Sequence, residues 1–363
     1  MKFKKAIRKI ICVLVALLII NFGIYFITNK NYPITDEWKS MVNENYAEFI
    51  EEIENKEDII PMIISTDQHG AISSNSEVYK YIDSLVEWDK ISAIINLGDT
   101  VNLIYNPLDL INYNKATECL PNDKRIEVIG NHDRYFVPGS LIEKHYFPNP
   151  NAVYSEDRKA FVVEDKEFNV RYLAVDTKCF PYYYTNGCLY TKQADFIIDE
   201  LSKDDERDIV LLSHAYLFND KIIARDGSSF TGSEFFIGSK DKGTEVKQSF
   251  IDMLEARKNK TSGTLIDSEG VSHYYDFSNC KGDFLLALHG HHHSEGYETK
   301  DGITEFLFQS MVLDNKDNSE PLCFYFAYID TKNDILKVWK NVAGYEPLEI
   351  KYYCGTLMSI TDI

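Results

Sequence analysis

Five short segments concentrate the residue types that bind metal ions. They are Asp67-Gln68-His69, Gly98-Asp99, Gly130-Asn131-His132-Asp133, Ser213-His214 and Gly290-His291-His292-His293. A carboxylate can bridge two cations and reduce their mutual repulsion. Imidazole nitrogens mixed with oxygen donors suit Mn, Fe, Co or Zn better than the all-oxygen shell of a calcium site. Two such ions about 3.5–4 Å apart can clamp a phosphate, and a water bound to one ionises near pH ~7, so no separate strong base is required. His132, with Asp133 next to it, offers a proton donor beside a carboxylate.

Each segment needs a rigid element to present it. Apolar runs of strand length stand before all five, over 59–65, 91–97, 125–129, 208–213 and 284–288. In open α/β sheets, sites form just beyond the carboxyl ends of strands. Helical spacing over 76–88 and 108–118 separates the first three strands, which predicts a largely parallel sheet with covering helices. Further strands are expected at 152–155, 160–164, 170–176, 302–309, 323–329 and 335–340, forming a second sheet packed on the first. Thr191 is placed to cap a helix reaching about Leu201. The stretch 215–282, with a helix near 246–257, is a candidate substrate-side cap because it lies between two proposed ligands.

The order Asp-x-His, Gly-Asp, Gly-Asn-His-Asp, a later His and Gly-His-x-His resembles the calcineurin-like metallophosphoesterase superfamily over roughly residues 60–310. The resemblance implies an α/β fold: a four-layer α/β/β/α sandwich of two mixed β-sheets flanked by helices. It implies two divalent transition-metal ions (Mn, Fe, Zn or Co). Asp67, His69 and His293 would hold the first, Asp99 would bridge, and Asn131, His214 and His291 would complete the second. His132 would stabilise the transition state or protonate the leaving group, with Asp133 orienting it. Gly70, Gly98, Gly130 and Gly290 would allow tight turns beside the metals. The fourth motif departs from the pattern: Ser213-His214-Ala215-Tyr216 lacks a following proline, so His214 rests on order and on its strand. The histidine run reads as His289-x-His291 or His291-x-His293, and Gly290 favours the second. His292 then points away from the metals, while His145 and His273 are read as structural or surface residues.

The implied activity is hydrolysis of a phosphomonoester or phosphodiester by attack of a metal-bound hydroxide. Alternatives are a membrane-anchored nuclease of the same fold and a non-catalytic binding or scaffold module. The substrate is expected to be a phosphorylated small molecule or a lipid-linked one. A formal charge of −19 argues against nucleic acid, whose binders carry a basic footprint. Arg134 is either a phosphate contact or a surface residue, and Tyr182, Tyr183 and Tyr184 either line a pocket or pack. Seven cysteines form no C-x-x-C pair, which argues against a zinc ribbon; Cys179 and Cys188 are the first disulfide to test.

The N-terminus adds a location. Residues 1–9 are basic, and 10–27 form an apolar run of about 27 Å as a helix, either a transmembrane anchor or a cleaved signal. Basic flanks stay inside. A single-pass protein of the cell membrane is therefore expected, its catalytic domain extracytoplasmic, with secretion after cleavage as the alternative. Residues 28–58 read as a linker with an amphipathic helix from Thr35, a stalk or a helix docked on the domain. The catalytic domain spans 59–350, and 351–363 form a tail.

Overall fold

The computed structural model describes residues 15–16, 34–70, 77–101, 107–134, 149–176, 187–218, 221–231, 243–311, 322–352 and 356–357. In chain order the first elements are α1 (Asp36–Glu54), β1 (Ile59–Ser65), α2 (Val78–Leu85), β2 (Ala93–Asn96), α3 (Pro107–Thr117), β3 (Arg125–Glu127) and the single turn α4 (Asn131–Arg134). Next come β4 (Val153–Tyr154), β5 (Ala160–Asp165), β6 (Val170–Val175), α5 (Thr191–Leu201), β7 (Asp208–Ser213), β8 (Ile222–Ala224), β9 (Ser229–Phe230) and α6 (Gly243–Asn259). The remaining strands are β10 (Ser262–Ile266), β11 (Ser272–Asp276), β12 (Phe284–His289), β13 (Gly296–Lys300), β14 (Ile303–Leu307), β15 (Tyr325–Asp330), β16 (Ile335–Lys340), β17 (Leu348–Lys351) and β18 (Thr356–Leu357).

The first sheet has the order β18-β17-β16-β15-β1-β2-β3. β1, β2 and β3 are parallel, as expected, but β15 pairs antiparallel with β1. The strands expected at 323–329 and 335–340 thus complete this sheet rather than the second. The reason is burial: β1 is apolar on both faces and so cannot serve as an open edge. The second sheet runs β4-β5-β6-β7-β12-β14-β13-β8-β9, with β6, β7, β12 and β14 parallel at its centre. β10 and β11 form a separate hairpin.

Strand alternation builds the layers. Ile60, Met62 and Ile64 of β1 meet Val210, Leu212, Leu286 and Leu288 of the second sheet in the central core. Ile63 faces the other way, toward α1, α2 and α3. Ile209 and Leu211 likewise face α5 and α6. The result is an α/β sandwich of two mixed sheets with helices on the outer faces. Because α6 buries Phe250 and Leu254 against the second sheet, it is a covering helix and not a substrate-side cap; 219–220 and 232–242 lie outside the described residues.

Of the two roles open to α1, the structure shows the docked one. Thr35 caps it, accepting from the Trp38 amide at 3.1 Å. Trp38, Val42, Tyr46, Phe49 and Ile53 are buried, and Phe49 stacks on Phe326 and meets Trp339 edge-on, both at 5.5 Å. Each such side chain contributes about 1.5–3 kcal/mol of burial. That apolar stripe is used up against the first sheet. Among the described residues no helix is long and apolar enough to cross a membrane. This overturns the expected cell-membrane, single-pass placement with an extracytoplasmic domain. The proposed anchor, 10–27, lies outside the described residues apart from Val15 and Ala16, which are helical.

Candidate metal centre

The loops after β1 and β2 are zipped together by their backbones. The amides of Asp67, His69 and Gly70 donate to the carbonyls of Gly98, Asp99 and Thr100 at 2.9, 2.9 and 2.7 Å. Alternate side chains then diverge. Gln68 is buried and donates to the Tyr79 hydroxyl at 2.6 Å, while Asp67 and His69 face the site. The price in backbone strain is visible: Asp67, His69, Asp99, His291 and His293 all have φ between 46° and 73°. For residues with a Cβ this region costs roughly 1–3 kcal/mol each, and such strain clusters at functional sites.

A third loop is clamped to these by Asp133, which is fully buried. Its carboxylate accepts from the amides of Gly130 and Asp99 at 2.9 Å and from Val101 at 3.0 Å. Asp133 therefore ties the loops after β2 and β3. A Cβ on Gly130 would come within 2.1 Å of Asp99 Oδ1, so only glycine permits this approach. A Cβ on Gly290 would meet Thr66 Oγ1 at 1.9 Å.

Two groups of donors result. In the first, Asp67 Oδ1 faces His293 Nε2 at 3.3 Å and His69 Nε2 at 3.6 Å. The other oxygen, Oδ2, is occupied by the Thr66 hydroxyl at 2.7 Å and the His291 amide at 2.8 Å. In the second, His214 Nε2 lies 3.0 Å from Asn131 Oδ1, and 3.1 Å from both Asp99 Oδ2 and His291 Nδ1. His214 Nδ1 donates to the Leu97 carbonyl at 2.8 Å, which turns Nε2 toward the group. Asp99 Oδ1 accepts the His132 amide at 2.8 Å. His132 Nε2 lies 3.8 Å from Asp99 Oδ2, and the ring stands edge-on to His69 at 4.7 Å. His132 also groups with His69 and Asp99 within metal-ligating distance.

These residues fit a pair of metal ions. Asp67 Oδ1 is buried without a hydrogen-bond partner, although three imidazoles point at it. A buried orphan acceptor is expensive unless a cation completes it. The donor set mixes nitrogen and oxygen, as transition metals prefer. Electrostatics agree. Burial raises the Asp67 pKa, but His214, His293 and His69 hold it well below the usual carboxylate range. Asp99 is also held low: burial raises it, and His214 and His132 more than offset that. Burial would lower His214, yet Asp99 and Asp67 push it up to about 10.

His289 is fully buried at the end of β12 and belongs to neither group, so the histidines that converge are His291 and His293. His292 packs against Phe230 at 4.7 Å, and burial lowers its pKa. His273 is held between Asp195 at 2.7 Å and Asp267 at 3.0 Å. The side chain of Arg134, the tyrosine run 182–184, His145 and Cys179 lie outside the described residues. Cys188 is disulfide-bonded; Cys119, Cys280 and Cys323 are free thiols. Sequence reading missed Thr66, the Leu97 carbonyl and Ser310, whose hydroxyl donates to the Asp67 carbonyl at 2.7 Å. Only the position of Thr66 beside Asp67 could have signalled one of them.

No protein-family model matches the chain, and no curated protein matches it. Many solved structures resemble its fold, and three serve as examples. A predicted phosphoesterase from Streptococcus pneumoniae has a TM-score of 0.32 and 12% identity, covering 80% of this chain and 97% of that one. PhoD gives 0.45 and 10%, covering 83% and 72%. A purple acid phosphatase from yellow lupin seeds gives 0.43 and 14%, covering 82% and 54%. With TM-scores below 0.5, none of these three bears on the reading of the site.

Proposed function

We propose that the chain is a phosphoric ester hydrolase with a dinuclear metal centre, of the calcineurin-like metallophosphoesterase type. The observation that carries this is Asp67 Oδ1, buried and unpartnered, with His69, His214 and His293 Nε2 at 3.6, 3.9 and 3.3 Å. Asp67, His69 and His293 would hold one ion, Asn131, His214 and His291 the other, and Asp99 would lie between them. Such ions neutralise charge on phosphoryl oxygens and lower the pKa of water.

The chain's own part is orientation and proton delivery. Asp133 fixes the Asp99 and Gly130 loops, and Leu97 fixes the His214 ring. His132 is about one-third exposed in its side chain, unlike the buried Asp99 and His214. It therefore stands at the open side of the cluster, where an imidazole can protonate a leaving-group oxygen. The substrate is a phosphorylated small molecule. The case for lipid-linked substrates rested on anchoring and falls with it.

The test is metal analysis of the protein combined with hydrolysis of chromogenic phosphomonoesters and phosphodiesters. Two ions per chain and hydrolysis that disappears in Asp99→Ala are expected. Bound metal with no turnover of either ester class, or an Asp99→Ala protein as active as the parent, would sink the reading.

A further inference from the structure

Behind the second donor group lies a buried polar cluster centred on Glu305, a residue that none of the metal motifs includes. Glu305 of β14 is fully buried. Its Oε2 accepts from the Leu217 amide at 2.6 Å and its Oε1 from the Phe218 amide at 3.1 Å. Directly opposite it in the ladder stands Glu298 of β13, 5% exposed, whose Oε1 accepts from the Lys221 amide at 3.2 Å. Two carboxyl groups facing each other across a ladder repel, and burying either is costly without donors. Both are turned on one target, the backbone that leaves His214.

The same Glu305 reaches the other imidazole. Its Oε2 lies 3.3 Å from His289 Nε2, in contact but without hydrogen-bond geometry. His289 Nδ1 lies 2.9 Å from Ser213 Oγ, and the two residues are paired in register across β7 and β12. Ser213 Oγ in turn donates to the Ala215 carbonyl at 2.7 Å. His214 is thus gripped on both sides: Ser213 before it, and Ala215 to Phe218 after it. The Gly290 amide donates to the His214 carbonyl at 3.1 Å, which couples the turn carrying His291 to the same unit.

We propose that Glu305 is a positioning residue for the second metal group. Through the 217–218 amides and through His289 and Ser213, it holds His214 and His291 so that their ring nitrogens meet 3.1 Å apart. The hydrogen bonds of Glu305 go to the backbone after His214, whereas the first donor group, built on Asp67, His69 and His293, meets this unit through the His291 amide, which donates to Asp67 Oδ2 at 2.8 Å. The inference rests on the metal reading above and specifies which residue shapes one half of that site.

The experiment loads parent, Glu305→Ala, Glu305→Gln and His289→Asn proteins with Mn(II). Metal per chain is counted by elemental analysis and the spin signal is followed by EPR. Two ions are expected in the parent. In Glu305→Ala the second ion should bind about 10–100-fold more weakly, as supporting-residue changes do, while the first keeps its affinity and the paired-ion signal gives way to that of single Mn(II). Glu305→Gln, which keeps one acceptor oxygen and the volume, should recover part of the loss. It also serves as the test if the alanine variant fails to fold. His289→Asn should weaken the second ion alone. Two ions at parental affinity in both Glu305→Gln and His289→Asn would overturn the inference, as would equal loss of both ions. A parent that takes up no metal would overturn the metal reading itself.

Discussion

His69 and His293, 224 positions apart in the chain, bring their Nε2 atoms to 2.8 Å. Two neutral imidazoles cannot both present lone pairs at that separation without a cation or a shared proton. With Asp67 Oδ1 beside them, a metal ion satisfies all three at once. The His293→Ala protein should lose this ion while keeping the second. A metal contributes several kcal/mol of transition-state stabilisation, so kcat/KM should fall by about 10³-fold or more. Elemental analysis beside steady-state kinetics checks it; a variant that keeps both ions would remove His293 from the ligand set.

Metal loading should release a proton. In the protein alone, burial pulls His214 down, but Asp99 and Asp67 outweigh it and push the ring up to about 10. Its pKa is thus raised, and at pH 7.5 the metal-free site carries the proton. An ion must displace it. Between about pH 7 and 9, apparent affinity for the second ion should rise roughly tenfold per pH unit, with about one proton released. Calorimetry in two buffers of different ionisation heat reads this number directly. A proton count near zero would contradict the electrostatics drawn from Asp67 and Asp99.

A substitution at His132 should separate binding from catalysis. Its amide is tied to Asp99, but its ring is more exposed than that of His214. In His132→Asn both ions should remain, KM should change little, and kcat should fall by about 10²–10⁴-fold, the range for a lost general acid. If metal content falls instead, His132 is a ligand, as its grouping with His69 and Asp99 allows.

How much of this was legible beforehand depended on where the signal lay. β1 and β7 were readable to the residue because their apolar runs are unbroken and end at Ser65 and Ser213. The placement of β15 was not, because its partner β1 lies more than 200 positions away and pairing at such distance leaves no local pattern. The residues that converge were legible from type and spacing. Their left-handed backbone at Asp67, His69, Asp99, His291 and His293 was not, since none of these is glycine. Glu305 was invisible for a related reason: a lone Glu in an alternating strand reads as a solvated residue, and only the fold turns it inward. The apolar run 10–27 misled about location in a different way, because such a run states a length and not a place.

Asp133 poses a choice that one substitution decides. Its oxygens accept from three amides in two loops. In Asp133→Asn one oxygen becomes an NH₂ group, leaving at least one buried amide without an acceptor. An unsatisfied buried donor costs about 1–3 kcal/mol. Chemical denaturation of the metal-free protein should show that loss, together with weaker metal binding through Asp99. If Asp133 acted only by orienting His132, stability would be unchanged and only kcat would fall.

A last prediction lies at the far end of β7 from His214. Asp208 is partly buried, and its pKa is raised to about 6, first by burial, while the Asp283 amide donating at 2.8 Å lowers it and the Asp283 charge raises it further. The folded protein therefore binds this proton more tightly than the unfolded chain, whose group titrates at 3.8. Between these two values the folded state holds more protons, so stability falls as pH rises through that window. Above about 6 the penalty is complete. A shift of about two units corresponds to at most ~3 kcal/mol, and partial solvation reduces this to about 1–2 kcal/mol. Asn at this position keeps an acceptor for the Asp283 amide and carries no charge. Asp208→Asn should thus stabilise the protein by about 1–2 kcal/mol at pH 7.5, with the gain shrinking to nothing below about pH 4. Urea denaturation at the two pH values measures it. A gain equal at both would mean that the charge of Asp208 is not what costs stability. Metal content should not change, since Asp208 is at the opposite end of the strand from His214.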